Sequence, residues 1–109
     1  MIAVIFEVVT LPGRAPRYFD LAAALRPDLE QVDGFISVER FKSMTSENKY
    51  VSLSFWRDRA ALEAWFRQDG HRAAQDEGRA SIFEDYRIRV AEVFRDYDLA
   101  AARPEVAAQ

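Results

Sequence analysis

His71 is the only histidine in a chain that contains no cysteine. A lone imidazole can take or give a proton near neutral pH. It cannot build a histidine-rich zinc site, and without cysteine there is no thiolate nucleophile, disulfide or sulfur-ligated metal. Both tryptophans, Trp56 and Trp65, stand shortly before it in the stretch Val51 to Gln75. Ser52, Ser54 and Trp56 alternate with Val51, Leu53 and Phe55, so a strand would show the serines and the indole on one face. Two indoles can enclose a planar ring and donate N–H groups. Add two hydroxyls and one titratable base, and the set can bind a small aromatic or quinol-like molecule and remove a proton from it. Oxygenation without a cofactor makes the same demands: a substrate ionised to an electron-rich enolate or carbanion, stabilised and shielded from water. His71 and Trp56 are the candidate catalytic residues. Glu7, Ser52, Ser54, Trp65, Phe83 and Tyr86 are the candidate substrate contacts, with Phe6 an alternative to Glu7. No Gly-x-Ser-x-Gly sequence is present, so the serines do not read as a hydrolase nucleophile.

Each of these residues also has a structural reading. Trp65 falls in an apolar helical stripe and reads equally as core. His71, between Asp69 and Arg72, reads equally as a solvated helix start. Glu7 interrupts an apolar strand and needs either an arginine partner or a wet cavity. Arg87 and Arg89 share a strand face, where they would pair with Glu7 or Glu39 or receive an acidic substrate.

The elements that must position these groups follow from periodicity. Ile2 to Val9 is nearly continuous in apolar residues, a strand expected to be buried on both faces. Leu11-Pro12-Gly13 ends it. A helix follows, with Pro16 in its first turn and Tyr18, Leu21, Leu25, Leu29 and Val32 on one face. Pro27 is expected to kink or split it near Arg26. After the Asp33-Gly34 turn comes a strand, Phe35 to Lys42, with Phe35, Ser37, Glu39 and Phe41 on one side and Ile36, Val38, Arg40 and Lys42 on the other. A polar loop leads to the strand Tyr50–Trp56. Asp58 is suited to cap a helix carrying Ala61, Leu62, Trp65 and Phe66. Gly70 interrupts that helix, and a short one runs from His71 to Glu77 and stops at Gly78. Ser81 to Asp85 is a connector, and Tyr86 to Tyr97 is the last strand.

The order β-α-β-β-α-β is that of the ferredoxin-like split βαβ fold, an α+β arrangement with a four-stranded antiparallel sheet and both helices on one face. Residues 1–97 form the domain and 98–109 an alanine-rich tail, frayed or laid across a partner. Two helices cover one side of a sheet, and the apolar area left on the other predicts a two-fold homodimer packed sheet to sheet. The net charge is −3, which argues against nucleic acid or an anionic membrane as partner. The apolar start lacks the basic residues and cleavage site of a signal peptide and is too short to span a bilayer, so the protein reads as soluble and cytoplasmic.

The sequences DGFISVERF, LSFWRD, AW, HRAAQ and VFRDY, spread over residues 1–97, resemble the antibiotic biosynthesis monooxygenase family. The resemblance implies a dimeric α+β barrel. It also implies a range of chemistries: cofactor-independent oxygenation of anthrone- or quinol-like molecules, haem degradation, or binding without catalysis. Anthrone-oxidising members carry a tryptophan at the end of the third strand, matched by Trp56, and an asparagine four residues earlier, where this chain has Ser52. Haem-degrading members carry a tryptophan matched by Trp65 and an axial histidine ten residues later. Gln75 stands at that position and His71 one turn before it. The resemblance therefore leaves no cofactor as the first expectation and haem held by His71 as the alternative.

Overall fold

The computed structural model describes residues 1–102. Its elements are β1 (Ile2–Thr10), α1 (Ala15–Glu30), β2 (Phe35–Lys42), β3 (Lys49–Trp56), α2 (Arg59–Phe66), α3 (Asp69–Glu77), a π-helical turn (Gly78–Ile82), β4 (Phe83–Glu92) and α4 (Leu99–Ala102). The strands form one antiparallel sheet in the order β2-β3-β1-β4. This is the ferredoxin-like arrangement, with its second helical crossover divided into α2 and α3. The tail expectation for 103–109 lies outside the described residues.

The register decides which side chains meet the helices. Ile2 faces Trp56 across β1–β3, Val4 faces Ser54, Phe6 faces Ser52 and Val8 faces Tyr50. This register is the inner one. Ile2, Val4, Trp56, Leu62, Trp65 and Leu29 form one core cluster, and Val8, Tyr18 and Ile82 form a second. β1 is therefore buried on its inner face, whereas Ile5, Glu7 and Val9 on the other face stay half-exposed within one chain. Beside them Val51, Leu53 and Phe55 are half-buried and Phe41 is exposed.

Several boundaries differ from the sequence reading. α1 runs unbroken through Pro27; Leu29 beyond it is buried, and that packing outweighs the lost backbone hydrogen bond. The strict alternation expected for β2 fails at Ile36, where the register with β3 shifts. This bulge returns Phe35 to the inner face, 5.4 Å from the Trp56 ring. α3 starts at Asp69 rather than His71, because Gln68 caps it by accepting the His71 backbone N–H at 2.6 Å. Gly78 does not stop the chain's helical course; its φ is −56°, and the π-helical turn continues to Ile82. A Cβ at this glycine would collide with the Phe83 ring. β4 opens at Phe83 and ends at Glu92, so the expected connector Ser81–Asp85 is part turn and part strand, and Phe94 and Tyr97 lie beyond the sheet. The Asp58 cap is as expected: its carboxylate accepts the Ala61 N–H at 2.9 Å, an interaction worth about 1 kcal/mol.

Candidate active site

Between the two core clusters the helices stand away from the sheet. The cavity between them has a volume of about 140 Å³. Its floor is the inner face of the sheet, with Phe6, Val38, Ser52, Ser54 and Trp56. Its roof comes from Tyr18, Leu21 and Leu25 of α1 and from Trp65 and Phe66 of α2. His71, Gln75 and Phe83 close one side. An engineered cavity of about 150 Å³ holds benzene, so this one suits a single substituted ring with part of it reaching the opening.

The sequence-derived candidates divide. His71, Trp56, Ser52, Ser54, Trp65 and Phe83 all line the cavity. Glu7 does not, and its assignment as a substrate contact is corrected. It faces Val51 in the register, on the side of the sheet away from the helices, with its carboxylate 3.4 Å from Arg89. The arginine-paired reading of Glu7 is the one realised. Tyr86 is also displaced. It shares the inner face, but it packs behind the lining, 5.6 Å from Phe6 and 6.0 Å from Phe83, and its hydroxyl accepts from Arg79.

Trp56 is 1% exposed, and its indole N–H donates to Ser54 Oγ at 2.9 Å. That bond satisfies a donor which would otherwise be orphaned in a dry core. Trp56 therefore offers the cavity a flat apolar wall rather than a free donor, while the Ser54 hydroxyl, an acceptor in that bond, keeps its own proton to donate. Among the described residues the Ser52 hydroxyl has no such partner, which leaves it free to serve a ligand.

His71 projects from the first turn of α3 and stacks on Phe66 with ring centroids 5.5 Å apart. Trp65 meets it from another side at 4.9 Å. Burial among these rings pushes the imidazole from its usual 6.5 down to about 4; the Phe66 backbone carbonyl opposes the shift only in part, and Arg79 adds to it. His71 is thus neutral at physiological pH, and its buried Nδ1 has no hydrogen-bond partner. Because Nδ1 lies beneath the surface, the imidazole meets the cavity through its other edge, and a neutral imidazole carries one nitrogen able to accept a proton. Burial sets this low basicity, and an enolate beside the imidazole would raise it by supplying a counter-charge.

Arg40, Tyr18 and Gln75 also line the cavity, and no role was read for them. Gln75 was legible in part, since it lies one helical turn after His71. Arg40 was recognisable only through the register that places it opposite Ser52. Among the described residues no three His, Asp or Glu side chains gather as a metal site, and no helix is long and apolar enough to cross a membrane.

Comparison with known proteins agrees with this architecture. The family model for antibiotic biosynthesis monooxygenase matches residues 1–77. Over 93 residues, 85% of this chain, the sequence is 43% identical to the jasmonate monooxygenase ABM of Pyricularia oryzae. It is 32% identical over 62 residues, 57% of the chain, to the uncharacterised protein YqjZ of Bacillus subtilis. The matched regions span 43% and 53% of those two relatives, so the chain accounts for about half of each. A candidate antibiotic biosynthesis monooxygenase from Deinococcus radiodurans superposes with a TM-score of 0.79 at 14% identity, covering 91% of this chain and 98% of that one. Rv0793 from Mycobacterium tuberculosis does so with 0.78 at 16%, covering 89% and 98%. At these identities the structures speak for the fold alone, while the family model and the Pyricularia sequence speak for kinship: the chain belongs to the antibiotic biosynthesis monooxygenase family.

Proposed function

We propose that the chain is a cofactor-independent monooxygenase of a small ring-bearing ketone or quinol, with His71 as the base. One observation carries this reading: the neutral imidazole of His71 in the aromatic wall of a ring-sized cavity. In the reaction so read, the substrate lies on Trp56, and His71 takes a proton from the carbon next to the carbonyl. The enolate passes one electron to O2, and the resulting radicals combine at carbon. The imidazolium returns its proton as the peroxide breaks down, so that CH2 and O2 become C=O and water. The apolar walls raise the energy of the free imidazolium and so favour its pairing with the enolate. The jasmonate of the Pyricularia relative's name is a cyclic ketone acid, which fits this class.

Oxygen consumption on anthrone, a quinol and jasmonate tests the reading. His71→Gln should lower turnover by about 100-fold or more with unchanged circular dichroism. Turnover at the wild-type rate would remove His71 as the base. The cavity size favours a cofactor-free site over haem, since a porphyrin is several times larger than one ring and His71 is already stacked on Phe66. A Soret shift on haemin titration that is lost in His71→Ala would reverse that preference.

The open sheet face supports a second part of the proposal, a homodimer packed sheet to sheet. Ile5, Leu53, Phe55 and Phe41 form an apolar patch there, and the helices of one chain do not reach it.

A further inference from the structure

We infer that Arg40 is the anion anchor of the cavity, and that the substrate is a ring-bearing carboxylic acid bound with its carboxylate at the mouth and its ring on the Trp56 floor. The inference rests on the functional reading above for the identity of the site, but on separate residues for its content. Arg40 is the one arginine or lysine among the described residues that lines the cavity. It also borders a shallow outer groove with Phe19, Ala22, Ala23 and Arg26, which places its guanidinium where the cavity meets the surface.

The two arginines at this opening are held differently. Arg26 is engaged by Glu30 at 2.8 Å within α1. Arg40, half-buried, has no carboxylate partner among the described residues. Its Nε donates to the Tyr18 hydroxyl at 3.3 Å, and its guanidinium carbon lies 5.7 Å from the Tyr18 ring centre. Those contacts orient the group without neutralising it, and they leave the two terminal nitrogens free as a planar fork. A half-buried, oriented, uncompensated guanidinium is costly to keep, and a fork of this kind matches a carboxylate bidentately. Ser52 stands directly opposite across the β2–β3 ladder, where its free hydroxyl can donate to the same anion. His71 and Trp65, elsewhere in the lining, provide no charge at neutral pH. Among the described residues the cavity thus holds a single cation, Arg40, and a separate neutral base, His71, so a keto acid held by its carboxylate at Arg40 would leave its ring and reactive carbon for the aromatic and imidazole part of the lining.

The test uses two acid and ester pairs, jasmonate with methyl jasmonate and 1-naphthylacetate with its methyl ester, followed by tryptophan fluorescence of the full chain without turnover. Wild type should bind at least one acid about 30-fold or more tightly than its ester, the size expected when one partner of a charge-assisted pair is removed. Arg40→Met should abolish that preference while leaving ester affinity within about twofold, and Arg40→Lys should restore part of it. Equal binding of acid and ester by wild type, an acid preference that survives Arg40→Met, or no binding of any of the four would overturn the anchor. Melting temperature and circular dichroism of both variants establish folding; if Arg40→Met fails to fold, Arg40→Lys decides, since loss of the fork alone must weaken the acid selectively. Oxygen consumption is measured in parallel. Arg40-dependent acid binding without oxygen uptake would leave the anchor standing and remove the oxygenase, whereas oxygen uptake on acid and ester alike would do the reverse.

Discussion

The two faces of β3 invert the usual relation between hydrophobicity and burial. Val51, Leu53 and Phe55 form the apolar register, and they point away from the helices. Ser52, Ser54 and Trp56 form the more polar register, and they point under them. In a protein with only a core to build, the assignment would be reversed. The inward serines border a cavity under the helices rather than a filled core. The outward Val51, Leu53 and Phe55 leave the far face apolar and only half-buried within one chain. One strand thus separates the cavity from the apolar face on which the proposed dimer would pack.

The comparison can be broken at several points. Trp56→Ala should have the largest effect, a loss of about 3–5 kcal/mol in urea unfolding, and the loss should not depend on protein concentration because the indole is buried within one chain. A loss below 1 kcal/mol would mean that the inner face is not core. Phe55→Asp, one residue earlier, should instead leave the monomer folded and raise the dimer dissociation constant by at least about 30-fold, the effect of removing one interface hot spot. Light scattering at micromolar concentration measures this, and a wild type already monomeric there would remove the sheet-to-sheet pairing.

His71 gives a smaller, pH-dependent signature of the inner face. Its folded value of about 4 lies below the ordinary 6.5 because of burial, so as pH falls the unfolded chain takes up the proton first. Stability should therefore decline between about pH 6.5 and 4 and be unaffected by this group above that range. The contribution is at most about 3 kcal/mol before allowance for partial exposure. His71→Gln should flatten that part of the profile, and an unchanged slope would place the imidazole in solvent. The smallest effect is expected at Glu7. Its ion pair with Arg89 lies between groups about a third to a half exposed, and Glu7→Gln should change stability by less than about 1 kcal/mol while leaving ligand binding intact. A loss of ligand affinity would return Glu7 to the site.

The parts of the site legible in the sequence were those whose signal is local. Asp58 announces its helix because a cap is read within one turn. Trp56 with Ser52 and Ser54, and Trp65 with His71, are set by the periods of a strand and a helix. Glu7 and Arg40 were misread or unassigned for a common reason. Alternation says that two residues share a face, but not which face the helices will cover. Phe35 shows the further limit, since one bulged residue reverses the parity of everything before it. The start of β4 was missed because the Gly78–Ile82 turn has no periodicity of its own. Its glycine is required by the Phe83 ring, a contact made across a turn.

By itself the sequence determined the order of elements, the absence of thiol chemistry and the gathering of both indoles and the one imidazole in a single strand–helix unit, because periodicity and residue type act over a few residues. Tertiary structure alone decided that the serine face turns inward, that His71 is buried enough to be neutral, and that Arg40 rather than Glu7 is the charge at the cavity. Those outcomes depend on strand register and on desolvation by distant parts of the chain, and neither is encoded at any single position.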